Sequence, residues 1–151
     1  MKSLLSLVLF CLIALLSCSP SKQLMSDAAK YEQSGMTKEA FDLYKQAYQV
    51  KPSNVDAHIA ARKLGDKMLN DLLLQMQWAN TKGEFEKAMD IFVQTESFYS
   101  TNKYLGLMMP SQFSQVYEEA RTGKVNQLYT EAEALVLEGN FDKAQNLIQL
   151  L

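Results

Sequence analysis

Apolar residues recur every three or four positions along most of the chain, the spacing that places them on one face of an α-helix. The pattern is clearest in residues 34–54, where Gly35 opens it, Pro52 ends it, and small and aromatic residues lie between. Glycine favours the left-handed conformation that ends a helix, and a proline pushes the residue before it out of the helix. The pattern therefore predicts two short helices, over residues 20–34 and 38–50.

Two longer helices are predicted further along the chain. The first runs to about residue 81 and has an apolar stripe, with Ser53 and Asp56 in a capping-box position at its start. A turn at Gly83 and a helix ending near residue 98 follow it.

Residues 99–109 are predicted to be an apolar loop that folds back onto the helices. Pro110 then starts the second long helix, which the pattern carries to about residue 138. Gly139 makes a third turn, after which helical spacing resumes.

The start of the chain departs from this pattern. Residues 4–16 form an apolar run of 13 residues behind Lys2. Such a run is too short to cross a membrane as a helix and is typical of a signal peptide. Residues 1–17 are therefore predicted to be a signal peptide.

Leu15, Ser17 and Cys18 resemble the lipobox of bacterial lipoproteins, with an aliphatic residue three before the cysteine and a small residue directly before it. The resemblance implies that Cys18 receives a diacylglycerol group, that residues 1–17 are removed, and that the new amine is acylated. Three acyl chains would hold the protein on a membrane, whereas one chain binds only reversibly. The alternatives are an uncleaved anchor or a plain signal peptide cut elsewhere.

Residues 18–20 would then be the lipidated cysteine and a short tether. Ser19 stands where lipoproteins retained in the inner membrane carry Asp, and no acidic cluster resembling a surface-export signal follows. By that analogy, we expect the periplasmic face of the outer membrane.

Residues 21–54 have the length of a tetratricopeptide unit, 34 residues. They resemble that unit at its signature small, aromatic, turn and proline positions, which are Ala28, Tyr31, Gly35, Ala40, Tyr44, Ala47 and Pro52. They depart from it at Leu24 and Thr37, where the family usually has aromatic residues. The resemblance implies an all-α solenoid of antiparallel helix pairs.

The turns at Gly83 and Gly139 extend this resemblance along the chain. Residues 21–151 are therefore predicted to form one repeat domain. Its units would be residues 21–54, 55–102 and 110–151, the last two with elongated first helices. The last unit is incomplete, since the sequence stops inside its second helix. It is expected either to continue as a longer array, the interpretation we favour, or to pair with another chain.

Tetratricopeptide units bind partners through the concave face of their first helices. Carried over by position, the resemblance implies a protein-binding face formed by Lys22, Met25, Ala29, Glu32, Asn70, Leu73, Gln77, Asn80, Asn126, Tyr129 and Glu133. Some family members bind a C-terminal carboxylate through a Lys/Asn clamp. This chain does not match that clamp, because Met25 and Ala29 occupy its first-unit positions.

Charge and cysteine content narrow the possible functions. Removing residues 1–17 takes away only Lys2, which leaves 14 basic against 17 acidic residues, so a nucleic-acid partner is not expected. Cys11 would be removed with the signal peptide and Cys18 would be acylated. No thiol is then predicted to remain for a disulfide or a metal site.

No catalytic arrangement is evident. His58 is the only histidine and is interpreted as a surface or half-buried helix residue. No phosphate-binding loop, dinucleotide turn or zinc-protease motif is present. We therefore expect no enzyme activity, no cofactor and no metal. Trp78 is predicted to be a core residue, and the basic residues of the long helices to form solvated faces with local pairs such as Lys63–Asp66.

These patterns predict a membrane-anchored helical-repeat scaffold that binds a protein partner in the bacterial cell envelope. Two alternatives stay open. One is a small-molecule or glycan-binding lipoprotein that uses Trp78, Tyr104 and Tyr129. The other is the N-terminal part of a longer protein, with its activity beyond residue 151.

Overall fold

The computed structural model describes residues 20–149, which are helical apart from their connecting segments. This part of the chain contains six α-helices and one 3-10 helix. They are α1 (Pro20–Gln33), α2 (Thr37–Val50), α3 (Val55–Thr81), α4 (Phe85–Asn102), the 3-10 helix Lys103–Leu105, α5 (Phe113–Leu137) and α6 (Phe141–Ile148). The predicted all-α class is confirmed. The predicted signal peptide and the predicted lipidation site, Cys18, lie outside the described residues.

The three predicted glycine turns share one backbone geometry. Gly35, Gly83 and Gly139 have φ values of 76°, 73° and 77°, a conformation that costs glycine little because it lacks a β-carbon. In each turn the residue after the glycine donates its backbone N–H to the carbonyl five residues earlier, at 2.8–2.9 Å. This pattern is a Schellman C-cap, and it reverses the chain in the same way each time.

Small buried residues bring the helices of each pair together. Five residues after each turn glycine lies an alanine that is at most 3% exposed, namely Ala40, Ala88 and Ala144. Seven residues before each glycine lies another buried residue, namely Ala28, Met76 and Ala132. The sequence repeat is therefore also a repeat of packing positions.

The described residues divide into two compact units, with the boundary between residues 68 and 69, inside α3. In the first unit, α1 and α2 pack against each other around Phe41 and Tyr44. The buried Ser21 hydroxyl of α1 links this helix to α2 and to the residue that precedes α3. It donates to the Ala47 carbonyl oxygen at 2.9 Å and accepts from the Asn54 side-chain amide at 2.8 Å.

Asn54 also caps α3, because its Oδ1 accepts the backbone N–H of Ala57 at 3.1 Å. The prediction that Ser53 caps this helix is wrong by one residue. Asparagine and serine are both good caps, and the sequence alone does not rank two adjacent candidates. Here the Asn54 amide also bonds Ser21, which fixes its orientation.

The second unit has its core between the C-terminal part of α3, α4 and α5. It is formed by Leu73, Met76, Ala79, Ala88, Ile91, Phe113, Val116 and Ala120. Gly123 of α5 lies directly against the ring of Phe85, where a β-carbon would collide with it. Next to this contact, Lys124 pairs with Glu86 at 2.6 Å. The two contacts fix how α5 lies along α4.

The segment after α4 corrects one predicted boundary. The helix continues to Asn102, about one turn beyond the predicted end near residue 98, and Gly106 with φ 73° ends the helical segment. The Thr95 and Asn102 side chains bond carbonyls four residues earlier within the helix, so they do not break it. Leu105 and Leu107 are buried, which confirms that the apolar loop folds back.

The start of α5 also differs from the prediction. Residues 110–112 form a turn in which the Phe113 N–H donates to the Pro110 carbonyl oxygen at 3.1 Å, and the helix begins at Phe113. None of the helices between residues 20 and 149 is both long and apolar enough to span a membrane.

Candidate functional site

In the first helix pair, polar side chains link α1 to α2 and to α3. The Tyr44 hydroxyl donates to Glu32 Oε2 at 3.0 Å, and Lys63 of α3 donates to Glu32 Oε1 at 3.2 Å. The bond from Lys63 lowers the pKa of Glu32, and partial burial opposes this only in part. Burial, together with the bond to Glu32, raises the pKa of Tyr44 to about 12.

In the second helix pair, the equivalent positions pack against α5. Asn80 and Phe92 lie as far from Gly83 as Glu32 and Tyr44 lie from Gly35. The Asn80 amide donates to the Val116 carbonyl oxygen at 2.8 Å. The Phe92 ring stacks on two aromatic rings of α5, with centroid distances of 4.8 Å to Phe113 and 3.9 Å to Tyr117.

In the third helix pair, the side chains at the corresponding positions are exposed and line a groove. Its equivalent residues, Val136 and Ile148, are 46% and 48% exposed. Together with four residues of α5 they line an apolar pocket of 350 Å³, which we call the terminal groove: Tyr129, Ala132, Glu133, Val136, Leu137 and Ile148. Leu137 is 89% exposed and Phe141, beside the turn, is 65% exposed. Within residues 20–149, this groove is exposed at the positions where the second pair packs against α5.

Only two residues of the predicted binding face lie on the terminal groove, Tyr129 and Glu133. Three others serve contacts within the chain. Glu32 bonds Lys63, Asn80 bonds the α5 backbone, and Gln77 donates to Gln112 at 3.5 Å.

Leu73, also predicted to be on that face, is 7% exposed and belongs to the core of the second unit, so it is not part of an open surface. The physical reason is that the next helix in the chain packs over this side of the pair. The resemblance by position did not reveal that arrangement.

The remaining predicted face residues lie elsewhere. Lys22 and Met25 line a pocket of 460 Å³ between the first turn of α1 and the α2–α3 connection, together with Lys51 and Asp56. Asn126 lines a shallow pocket on α5 beside Glu119 and Thr122, and Asn70 is exposed on α3. Ala29 is half-buried on α1.

The aromatic residues of the glycan alternative do not form one site. Trp78 is 54% exposed, so the prediction that it is a core residue is wrong. The Lys82 ammonium lies 3.8 Å from its ring centroid and that of Lys87 lies 5.3 Å away, which makes the ring a cation–π partner of these lysines. Tyr129 lines the terminal groove, whose lining includes neither Trp78 nor Tyr104.

The other charged and titratable candidates have structural partners. His58 is half-buried as predicted, with its ring 4.7 Å from that of Tyr48. The predicted Lys63–Asp66 pair is wrong, because Arg62 pairs with Asp66 at 3.8 Å while Lys63 reaches Glu32. Within the described range, no three His, Cys, Asp or Glu residues are placed to hold a metal ion.

Comparison of the chain with models of known protein families, with curated proteins and with solved structures found no significant match. The terminal groove is the candidate site, because its lining side chains are apolar and exposed.

Proposed function

We propose that the chain is a lipid-anchored, tetratricopeptide-like helical-repeat scaffold that binds a protein partner at the periplasmic face of the bacterial outer membrane and carries out no catalysis. The open terminal groove is the observation that carries this proposal. At the equivalent positions, Lys63 of α3 bonds Glu32 in the first pair, and α5 packs on the second pair. Exposed apolar side chains that line one groove favour a protein-binding role over that of isolated surface residues.

The repeated turn geometry supports the solenoid part of the proposal. Three turns with the same left-handed glycine and the same capping bonds join three helix pairs. Buried residues recur at matching distances from each glycine. Helix pairs of this kind stack on one another because no single pair buries its own apolar face.

The position of Ser21 supports the anchor part. This buried residue belongs to the packed first unit and lies three residues after Cys18. The first helix begins at Pro20, so the two residues from Cys18 to the helix reach at most about 7 Å. A lipid on Cys18 would therefore hold the first helix pair next to the headgroups.

Affinity capture from detergent-solubilised envelope membranes tests the proposal. We compare the unmodified chain with Ile148→Glu in the terminal groove and with Val93→Glu, a matched change at a position that is 65% exposed on α4. The expected result is a protein that co-purifies with the unmodified chain and with Val93→Glu but is lost with Ile148→Glu. Recovery of no specific protein, or equal recovery with all three baits, would overturn the proposal.

A further inference from the structure

We propose that the pocket between the first turn of α1 and the α2–α3 connection binds the headgroup of a zwitterionic phospholipid, with Lys22 and Lys51 on its phosphate and Asp56 on its ammonium group. We call this pocket the N-terminal pocket. The inference rests on the proposed lipid anchor and deepens it, because it states which lipid chemistry the anchored end of the chain recognises.

The N-terminal pocket lies entirely within the first compact unit and has a volume of 460 Å³. This volume is in the range of small-molecule sites. Its lining comes from α1, the α2–α3 connection and the first turn of α3: Ser21, Lys22, Met25, Lys51, Ser53, Asn54, Val55 and Asp56. The Asn54 amide donates to the Ser21 hydroxyl at 2.8 Å, so this part of the lining is held in place.

Two lysines of the lining have no anionic partner among the described residues. Lys22 and Lys51 are both exposed and form no ion pair there, whereas Lys30 and Lys38 each pair with a carboxylate on their own helix. Residues 1–19 contain no Asp or Glu. The N-terminal pocket therefore offers two positive charges to a ligand, and a lysine ammonium is a good partner for phosphate oxygens.

Asp56 adds one negative charge to the same lining. It is exposed and, within residues 20–149, forms no ion pair with either lysine. A headgroup that joins a phosphate to a primary ammonium carries the complementary charges. A headgroup with a phosphate alone would bring like charge towards Asp56 and leave this carboxylate unpaired. The charges of the lining therefore favour a zwitterionic headgroup over an anionic one.

The position of the N-terminal pocket in the chain makes a lipid the source of these groups. The predicted acylation site, Cys18, lies two residues before the start of α1, a distance of at most about 7 Å. Lys22 lies in the first turn of that helix. An anchor on Cys18 would therefore bring lipid headgroups within reach of the pocket.

Exposed apolar side chains next to the lysines fit the same environment. Val55 of the lining is 63% exposed, and Ile59, one turn further along α3, is 59% exposed. Residues four apart share one face of a helix. Apolar side chains beside lysines suit the boundary between headgroups and acyl chains, where both kinds of group find partners.

Native mass spectrometry of the full chain tests the inference. The chain is purified from membranes in an uncharged maltoside detergent, and phosphatidylethanolamine is the probe. We expect the unmodified chain to bind one lipid and the Lys22→Gln/Lys51→Gln chain to bind it at least about tenfold more weakly. The matched control, Lys103→Gln/Lys143→Gln, removes two exposed lysines of the other compact unit and should bind like the unmodified chain.

Three further probes test the recognised chemistry. Diacylglycerol, which lacks the phosphate, and phosphatidylglycerol, which lacks the ammonium, should each bind at least about tenfold more weakly than phosphatidylethanolamine. Inorganic phosphate should not displace the bound lipid. Asp56→Asn should abolish the preference for phosphatidylethanolamine over phosphatidylglycerol, and this comparison keeps the inference falsifiable if the double lysine variant folds poorly.

Three outcomes would overturn the inference. They are equal binding of phosphatidylethanolamine by the two double variants, equal binding of the two phospholipids by the unmodified chain, and displacement of the lipid by inorganic phosphate, which would indicate an ion site only.

These results are separable from those for the proposed function. If lipid binding depends on the two lysines while affinity capture recovers no protein, the headgroup site stands and the scaffold function fails. If capture depends on Ile148 while both double variants bind lipid equally, the scaffold function stands and the headgroup site fails.

Discussion

Gly123 of α5 and Phe85 of α4 touch so closely that no side chain fits between them. This contact and the adjacent Lys124–Glu86 ion pair determine how the long helix lies in the groove of the second unit. The energetics of this contact can be tested by substituting either residue.

Adding a methyl group at Gly123 should be unfavourable only while the Phe85 ring is present. Gly123→Ala inserts a β-carbon where the ring lies, and such overpacking costs about 1–3 kcal/mol. In a Phe85→Ala background the same change should stabilise by about 1 kcal/mol, because alanine is the better helix former. A double-mutant cycle in urea measures this coupling. Equal effects of Gly123→Ala in both backgrounds would contradict the packing described.

Removing the buried hydroxyl of Ser21 should destabilise the first unit. Ser21→Ala leaves the Ala47 carbonyl and the Asn54 amide without this partner, at a cost of about 1–3 kcal/mol. Ser26→Ala, at an exposed position on the same helix, should change stability by no more than about 0.5 kcal/mol. Urea unfolding followed by circular dichroism compares the two variants. Equal midpoints would show that Ser21 does not hold α1 to the other helices.

The Glu32–Lys63 pair should contribute an acid-dependent part of the stability. Because the folded-state pKa of Glu32 is lowered below its ordinary 4.5, its contribution is present above that value and is lost as the pH falls through the folded-state pKa. At neutral pH, Lys63→Met should cost less than about 1 kcal/mol, since the pair is largely solvent-exposed.

The difference between this variant and the unmodified chain should shrink below pH 4.5. Urea unfolding midpoints of both proteins, measured from pH 7 down to pH 3, report this difference in stability. Lys103→Met removes an exposed lysine of the other compact unit and is the control for the loss of a positive charge. A difference that stays constant over this range would exclude a titrating pair.

If Cys18 carries the lipid anchor, substitutions of Cys18 and Cys11 should have different effects. Cys18→Ser should abolish lipidation, because the diacylglycerol group is attached to the cysteine sulfur, and residues 1–17 should then stay attached. Cys11→Ser should leave membrane association unchanged, since residue 11 lies in the predicted signal peptide. Mass spectrometry of the mature N-terminal peptide provides the direct readout. An unmodified peptide containing Cys18 would contradict the anchor.

The helical spacing and the turn glycines were sufficient to predict the all-α class and the positions of the three turns. Gly35, Gly83 and Gly139 mark positions where only a residue without a β-carbon adopts the required backbone conformation easily. Such a signal is local, so it can be read from the chain. The cap at Asn54 was missed because its choice depends on a bond to Ser21, 33 residues away in the sequence.

The candidate site was predicted less well for the same reason. Gln77 and Asn80 have the polar character of a binding surface, yet in the structure Asn80 bonds the α5 backbone and Gln77 bonds Gln112, the residue before α5. Which helix covers which face depends on the register of long helices, and no short stretch of sequence encodes that register. Tyr129 and Glu133 were found because the last pair repeats the positional pattern, although only the structure shows that its groove is open.

Site-specific photocrosslinking in intact cells tests the central claim most directly. A benzophenone amino acid is placed at Leu137 in the terminal groove and, as a control, at the similarly exposed Val93 on α4. The account predicts a discrete crosslinked product with one other protein from position 137 and none from position 93. The same products from both positions, or products at position 137 that contain only a second copy of this chain, would contradict it.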